Sequence, residues 1–356
     1  MPCPLDDQAP SVTAGAKIRF RDPQIDMAHG AGGKASRRLV EGLFAPLLFG
    51  ELREPLNDAA QLDIDGTRLA ISTDSFVVKP LRFPGGSIGE LAVNGTVNDL
   101  AVSGAKAEAL VVTFVIEAGL ATEALEAEVR AMAEAAARAG VRIVGGDTKV
   151  VEHGKADRMY VTTAGIGRAI PGVNVSARSV RPGDKILVSG PIGDHGITIL
   201  LARGELDLEA ELCSDTRSVF PMVEAMANAA GAGIRWMRDP TRGGVATALN
   251  ELARDCDLGV FLHEEKIPIR DGVRGACELL GLDPLHIANE GQFVAVIAPE
   301  FADAALAAVR GTAGGCEAAL IGEIREQPAA TVLGSAAYGG TRVIDMLVGD
   351  PLPRIC

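Results

Sequence analysis

The chain has 356 residues, a net charge of −13, 47% hydrophobic residues and only 4% aromatic residues. This length exceeds the roughly 250 to 300 residues that one hydrophobic core supports, so two domains are predicted. The acidic balance argues against a nucleic-acid or anionic-membrane partner, because such proteins need a cationic surface. The high apolar content argues against an intrinsically disordered protein.

The cysteine pattern indicates a reducing, cytoplasmic setting. Six cysteines stand at positions 3, 213, 256, 277, 316 and 356, without a CxxC pair. That spacing is unlike a zinc site or a disulfide scaffold. The first 30 residues lack the basic start and apolar run of a signal peptide, and no apolar stretch reaches about 18 residues, so no membrane span is expected.

Residues 1–23 are predicted to be a loose leader, followed by the glycine-rich segment HGAGGK, His29 to Lys34, at the start of a helix. Glycines allow close approach of a ligand, and the helix behind them offers free N–H groups to an anion. The spacing does not match a Walker P-loop. A phosphate site and a plain helix-entry turn are both open interpretations.

Three aspartates stand out farther along. A hairpin turning at Asp65-Gly66 leads into a predicted strand that ends at Asp74, and RIVGGD ends a second strand at Asp147. Asp99 lies on a predicted helix near Asn98. Carboxylates at strand ends and on a covering helix can converge on Mg²⁺, although a single strand-end aspartate is more often a turn former.

These strands and helices alternate and predict an α+β first domain over residues 24–168, with a second domain over 169–345 after the segment PGVNVSARSVRPGD. In the second domain, RDPTRGG places Arg242 at a helix N-terminus, which suits an anion. NEGQ offers Glu290 as a base or as a turn acid. His195, in GDHG at a helix start, is interpreted as a cap or packing residue.

Residues 346–356 are predicted to be a mobile tail that carries the thiol of Cys356. Taken alone, a cysteine in such a segment is often incidental. An extended segment of this length spans roughly 35 Å, enough to reach both a partner and the chain's own cleft.

Together, these segments resemble the carbamoyl dehydratase family of hydrogenase expression/formation proteins, within the aminoimidazole ribonucleotide synthetase superfamily. The segments are HGAGGK, STDSFVV, NGTVNDLAVSGA, GGDTKV, RDPTRGGVATALNELA, ANEGQ and PRIC. The resemblance covers Ile25 to Cys356, and PRIC is specific to the one family. It implies a two-domain PurM-like (aminoimidazole ribonucleotide synthetase-like) α+β architecture, with mixed sheets covered by helices and a flexible C-terminal tail, that forms a homodimer.

The resemblance also implies the reaction. A carbamoyltransferase partner loads Cys356, ATP with Mg²⁺ drives dehydration of the carbamoyl group to thiocyanate, and an iron-carrying hydrogenase assembly complex accepts the cyanide. Lys149 would stabilise charge on the transferring phosphoryl group, and Glu290 would be the base, a role that Lys149 or an aspartate could share. The implied Mg²⁺ ligands are Asp74, Asp99 and Asp147, and the implied nucleotide-binding residues are Gly30, Gly32, Gly33, Lys34, Asp74, Asn98, Asp99, Asp147 and Arg242.

Two alternatives are open. Another ATP-dependent enzyme of the superfamily, such as a selenophosphate synthetase, would carry a reactive cysteine just before the glycine-rich loop. The upstream candidate here, Cys3, is 26 residues before His29 (29 − 3 = 26), which disfavours that alternative. The other alternative is a non-enzymatic thiol carrier or scaffold that uses Cys356 as a handle.

Overall fold

The computed structural model describes residues 19–49, 56–204, 210–336, 339–349, 352 and 355–356. Most of the predicted leader lies outside these residues, and so do Pro353 and Arg354 of the tail. Two large β-sheets, each covered by helices, divide the chain into a first and a second half.

The first half is built on a five-stranded sheet of order β1-β2-β7-β5-β6, in which β5 and β6 are parallel and the other neighbours are antiparallel. Its elements are α1 (Gly33–Leu39), a π-helical turn (Val40–Phe44), α2 (Ala45–Leu48), β1 (Ala60–Ile64), β2 (Thr67–Phe76), β3 (Arg82–Phe83), β4 (Gly86–Ser87), α3 (Ile88–Val102), β5 (Ala105–Glu117), α4 (Thr122–Ala139), β6 (Arg142–Val151) and β7 (Met159–Ala169).

One face of this sheet is covered and the other is open. Helix α3 packs on β2, β5 and β7, and α4 packs beside it on the same side. The hairpin predicted at Asp65-Gly66 is confirmed, with both residues at positive φ as a two-residue turn of this type requires. The open face exposes large apolar side chains, namely those of Leu62, Ile71, Val111, Val144 and Ile166.

Two predicted strand ends are wrong. Strand β2 continues past Asp74 to Phe76, and β6 runs unbroken through Gly145 and Gly146 to Val151. Gly146 does not break β6 but lets it lie close to β5, since a Cβ on Gly146 would stand 1.8 Å from the carbonyl oxygen of Val112. Asp147 is therefore in the middle of an edge strand.

Helix α3 is the centre of the molecule. Most of its residues are buried on every side, since the first sheet, α4 and α6 of the second half all contact it. A glycine inside a helix normally destabilises it, but a Cβ on Gly95 would lie 2.7 Å from the ring of Phe76. Gly95 thus allows a fully buried phenylalanine of β2 to pack against the helix.

The second half is built on a seven-stranded mixed sheet of order β14-β13-β10-β12-β8-β11-β9. Its elements are β8 (Lys185–Val188), α5 (Asp194–Ala202), α6 (Phe220–Ala230), β9 (Ile234–Arg238), α7 (Gly244–Cys256), β10 (Gly259–His263), α8 (Asp271–Leu280), β11 (Val294–Ile297), α9 (Ala302–Arg310), β12 (Ala319–Arg325), β13 (Thr331–Ser335) and β14 (Thr341–Val343). Ile186 and Val188 of β8 face α7, whereas Leu187 faces α6 and α9.

The two halves share a hydrophobic core. Ile197 of α5 and Val273 of α8 belong to the cluster formed by the first sheet and α3. Leu352 and Ile355 of the tail lie in that same cluster. Within the described ranges, no helix is both long enough and apolar enough to cross a membrane.

Candidate active site

Three carboxyl groups form an acidic group in the cleft between the halves. Asp58 precedes β1, Asp99 lies on α3 and Asp239 directly follows β9; each offers an oxygen within 4.8 Å of the other two. Burial, then repulsion by Asp239 and Asp58, raises the pKa of Asp99 well above its usual value. Such a group is stabilised by a cation, and carboxylate oxygens are the ligands that Mg²⁺ prefers.

Asp74 borders this group. It lies on the helix-covered face of β2, near Gly95 of α3, and Arg242 Nη2 stands 4.0 Å from its Oδ1. Burial raises the pKa of Asp74, and Arg242 opposes that shift. The structure therefore brings the predicted residues Asp74, Asp99 and Arg242 together.

Asp147 is not brought into this group within one chain. Asp74 pairs with Thr163 of β7, which in turn pairs with Val112 of β5, and these three side chains lie on the covered face. Asp147 pairs with Thr113, the next residue of β5, and therefore lies on the open face. The two aspartates are three strands apart, a distance of about 14 Å.

Lys149 shares the open face with Asp147, and its Nζ lies 3.1 Å from Asp147 Oδ2. Hydrogen bonds from Lys149 and from the Thr148 N–H lower the pKa of the Asp147 carboxyl. Both side chains are exposed, so the pair is available to another molecule at this edge of the sheet.

Asp58 and Asp239 were not among the residues predicted from the sequence. Asp239 lies in the quoted segment RDPTRGG immediately after strand β9, which is the same signal that singled out Asp74. Asp58 has no comparable signal, because it precedes a short exposed strand. It is held from the other side by Arg238, whose Nε lies 3.1 Å from Asp58 Oδ1.

The glycine-rich loop lies at the cleft, but residues 345–347, which form the root of the tail, cover it. The Lys34 N–H donates to the Leu347 carbonyl oxygen at 3.1 Å, and Lys34 Nζ lies 2.5 Å from Asp345 Oδ2. A Cβ on Gly33 would stand 2.5 Å from the same Leu347 oxygen, and one on Gly32 would stand 2.9 Å from the Arg242 carbonyl oxygen. In this state the loop contacts the chain's own backbone where a phosphate was predicted.

The predicted nucleotide contact of Asn98 is not supported by the geometry. Its amide nitrogen donates to the carbonyl oxygens of Arg217 (2.9 Å) and Glu290 (3.1 Å), and its amide oxygen accepts from the Val219 N–H (2.8 Å). Both donors of the buried amide are thereby used within the protein. Asn98 instead ties α3 to the backbone of Glu290.

Glu290 is buried beside the acidic group. Burial, with repulsion from Asp239, Asp74 and Asp215, raises the pKa of its carboxyl well above the usual value. Among the described residues, its Oε1 has no hydrogen-bond partner. Its backbone is fixed, because the Glu290 N–H donates to Asp215 Oδ1 at 3.0 Å.

The tail lies in the cleft of its own chain. Cys356 borders a cavity with Gly30, Ser75 and Arg242, and the Val77 N–H donates to the backbone oxygen of Cys356 at 3.0 Å. Negative charge at Cys356 is the foremost cause that raises the pKa of Arg242, followed among the acids by Asp74, Glu290 and Asp99. Arg242 is thus the cation that links the tail to the acidic group.

The family model of the AIR synthase related proteins matches the chain twice, as the N-terminal domain at residues 56–169 and as the C-terminal domain at residues 181–334. The carbamoyl dehydratase HypE of Bradyrhizobium diazoefficiens is 48% identical over 340 residues, which cover 96% of this chain and 98% of that relative.

Solved structures agree with these sequence matches. A HypE–HypF complex superposes with a TM-score of 0.82 at 43% identity and covers 87% of this chain and 99% of that chain. HypE in complex with ATP superposes with a TM-score of 0.78 at 45% identity, with coverages of 93% and 99%. The predicted two-domain PurM-like α+β fold is confirmed.

Proposed function

The chain belongs to the carbamoyl dehydratase HypE family of the AIR synthase related proteins, and on this premise we propose which of its residues perform the reaction. The protein is an ATP-dependent carbamoyl dehydratase of hydrogenase maturation. One observation supports the residue roles above all: Cys356 lies in the same cleft as Arg242 and the acidic group.

Cys356 is the acceptor of the carbamoyl group. Oxide is a poor leaving group, so the carbamoyl oxygen first attacks the γ-phosphorus of ATP, ADP departs, and one amide proton is lost. Loss of the second amide proton then breaks the C–O bond, releases phosphate and leaves S–C≡N on the sulfur. The oxygen atom and two protons that the carbamoyl group loses correspond to one water molecule. The oxygen leaves as part of the phosphate, so the step needs no reactant other than ATP.

Asp58, Asp99 and Asp239 would hold Mg²⁺, with Asp74 beside them. When bound, Mg²⁺ would neutralise phosphate charge and align the phosphates of ATP for in-line transfer. This ligand set revises the expected one, because Asp147 of the same chain lies on the other face of the sheet. Arg242 supplies fixed positive charge to the phosphoryl group and to the tail.

Glu290 is the base that takes an amide proton. Its Oε1 points to no partner among the described residues, and the high pKa of its buried carboxyl makes its ionised form a strong proton acceptor. The backbone of Glu290 is fixed by two hydrogen bonds: Asn98 donates to its carbonyl oxygen, and Asp215 accepts from its N–H.

Asp147 and Lys149 act in a homodimer that forms through the open face of the first sheet. That face exposes apolar side chains, including Val111, Val144 and Ile166, over an area that a second copy can bury. Both residues lie on this face and cannot reach Asp74 of their own chain. Their roles at the nucleotide, Lys149 as charge stabiliser, therefore require the cleft of the second copy.

Two partners complete the cycle. A carbamoyltransferase loads Cys356, which the HypE–HypF complex supports as a type of assembly within the family. An iron-carrying hydrogenase assembly complex then accepts the cyanide. Both need the thiol outside the cleft, so the docked tail of this structure corresponds to the dehydration stage.

Intact-protein mass spectrometry tests these roles. The full chain is incubated with carbamoyl phosphate, the carbamoyltransferase and ATP, and we expect a carbamoyl adduct on Cys356 that loses one water only when ATP is present. Cys356→Ala should bind ATP but form no adduct, and Cys316→Ala, at an exposed cysteine elsewhere, should behave as the wild type. An adduct that persists with ATP would support the carrier alternative, and no adduct would refute the role of Cys356.

A further inference from the structure

A fully buried histidine contacts the docked tail. His195 is the second residue of α5, which begins directly after Gly193, a residue with a positive φ of 89°. Its side chain is 0% exposed and meets the ring of Phe83 edge to face at 5.6 Å. Burial lowers the pKa of His195 to about 4, so the imidazole is neutral at neutral pH.

A chain of hydrogen bonds fixes which ring nitrogen carries the hydrogen. Ser214 Oγ accepts from the Thr216 N–H at 3.1 Å and lies 2.8 Å from His195 Nδ1, to which its hydroxyl hydrogen can be donated. The other nitrogen, Nε2, lies 2.8 Å from the carbonyl oxygen of Ile355, which can only accept. Nε2–H therefore donates to the tail backbone.

The hydrogen bond from His195 acts next to the thiol residue. The Ile355 side chain is 2% exposed in the shared core, and the following residue, Cys356, accepts from the Val77 N–H. Backbone oxygens of two consecutive tail residues are thus held by two different parts of the protein, that of Ile355 by α5 of the second half and that of Cys356 by the chain after β2. This arrangement fixes the direction in which the Cys356 side chain leaves the backbone.

We infer that His195 is a positioning residue of the dehydration step, which holds the docked tail through the Ile355 carbonyl and thereby places the Cys356 thiol beside Arg242. This inference rests on the proposed role of Cys356 as the carbamoyl carrier. His195 has no part in loading, because the thiol must leave the cleft to meet a carbamoyltransferase. Removing the hydrogen bond should therefore slow dehydration without slowing loading.

The first experiment measures tail docking without ATP or a partner. N-ethylmaleimide labelling of Cys356 is followed by peptide mass spectrometry, with the exposed Cys316 as the internal reference and the buried Cys277 as a reporter of unfolding. His195→Ala should raise the labelling rate of Cys356 about tenfold relative to Cys316, the effect of losing one buried hydrogen bond. His263→Ala, at a histidine of β10, should leave the rate unchanged.

The second experiment compares loading with dehydration in the same variants. His195→Ala should be loaded at least as fast as the wild type but should dehydrate the adduct about tenfold more slowly. His195→Gln keeps an N–H donor at the place of Nε2 and should recover to within about threefold of the wild type. A merely structural role would instead slow loading and dehydration together, and Gln would not rescue.

The outcomes separate cleanly. Unchanged Cys356 labelling in His195→Ala, or loading and dehydration that fall in equal proportion, overturns the inference. If His195→Ala unfolds and exposes Cys277, His195→Phe decides: it fills the space of the imidazole without an N–H donor and should raise Cys356 labelling about tenfold, whereas no change refutes the inference. Because labelling needs no carbamoyl chemistry, it reports on His195 even if Cys356 proves not to be the acceptor.

Discussion

Asp74 and Asp147 lie on opposite faces of one sheet, three strands apart. No side-chain rotation within a single chain brings the two carboxylates to one ligand. The homodimer proposed above would account for both the apolar open face and the exposed Asp147–Lys149 pair, because the pair would then reach a site shared between two copies.

Subunit complementation tests the shared site directly. Lys149→Ala and Glu290→Gln should each abolish most dehydration activity, but a co-expressed equal mixture should recover about a quarter of the wild-type activity. Half of the dimers in such a mixture are mixed, and each mixed dimer has one site with both native residues. No recovery above the single variants would show that both residues serve the same chain's site.

A charge on the open face should separate the copies. Val111→Asp, at a half-exposed position of β5, should yield a monomer in light scattering and lower dehydration at least tenfold, because a buried unpaired carboxylate opposes association. The matched control is Val129→Asp on α4, which is equally exposed but lies on the helix side. A dimeric, active Val111→Asp protein would contradict the proposed interface.

The acidic group should make stability depend on pH. Asp99 and Asp239 have pKa values raised above 3.8 in the folded state, so their contribution to the free energy of unfolding falls as pH rises from about 4 through those raised values. Without divalent cations, Asp99→Asn should therefore be more stable than the wild type at pH 8, with a smaller difference at pH 4. Urea denaturation with a chelator measures this, with Asp303→Asn, at an exposed position of α9, as the control.

With Mg²⁺ present, the wild type should be more stable than Asp99→Asn at pH 8. A cation that binds only the folded wild type adds about 2.7 kcal/mol at a hundredfold excess over its Kd. Asp99→Asn should gain much less, because it lacks one carboxylate of the group. Equal stabilisation of both proteins by Mg²⁺ would place the ion elsewhere.

Asn98→Ala tests whether the amide positions Glu290 or binds nucleotide. The substitution removes three hydrogen bonds to buried backbone, which should cost about 2–4 kcal/mol of stability. We expect kcat for dehydration to fall while the Kd for ATP, measured by calorimetry, stays within about twofold. A weakened ATP affinity with normal kcat would restore the predicted nucleotide contact.

Two glycines of one loop offer a matched pair. Gly33 has a φ of +82°, and its added Cβ would meet the Leu347 carbonyl oxygen at 2.5 Å, whereas nothing lies within 4 Å of a Cβ on Gly30. Gly33→Ala should lose about 1–3 kcal/mol and should expose Cys356 to labelling, since the tail root must move. Gly30→Ala should leave both properties close to wild type; equal effects would mean that the tail root does not rest on the loop.

Local patterns predicted most of the elements, because periodicity and turn chemistry act over a few residues. The Asp65-Gly66 hairpin and helix α4, ending at the left-handed Gly140, are examples. The strand end predicted at Asp147 was wrong because Gly146 lets β6 pack closely against Val112 of the neighbouring strand β5, a contact that local sequence does not reveal.

Residues of the candidate site could be predicted where they carry a local sequence signal, and could not where the order of the strands in the sheet decides their position. Asp74, Asp99, Glu290 and Arg242 carry local signals and do converge. The face on which Asp147 lies depends on the strand pairing β2-β7-β5-β6, a non-local arrangement. The positioning role inferred for His195 could not be predicted from local sequence either, since its hydrogen-bond partner Ile355 is 160 positions away.

The shared core has a consequence for how this architecture can be taken apart. Because Ile197 and Val273 of the second half complete the packing around α3, a fragment ending at Ala169 would leave apolar surface of the first half bare to water. The chain should therefore melt in a single calorimetric transition, and exchange of one half with a distant superfamily member should fail unless the interlocking side chains travel with it. The boundary between the two sheets therefore separates two topologies but not two folding units. We expect the whole chain to fold, and to be exchanged by recombination, as one unit.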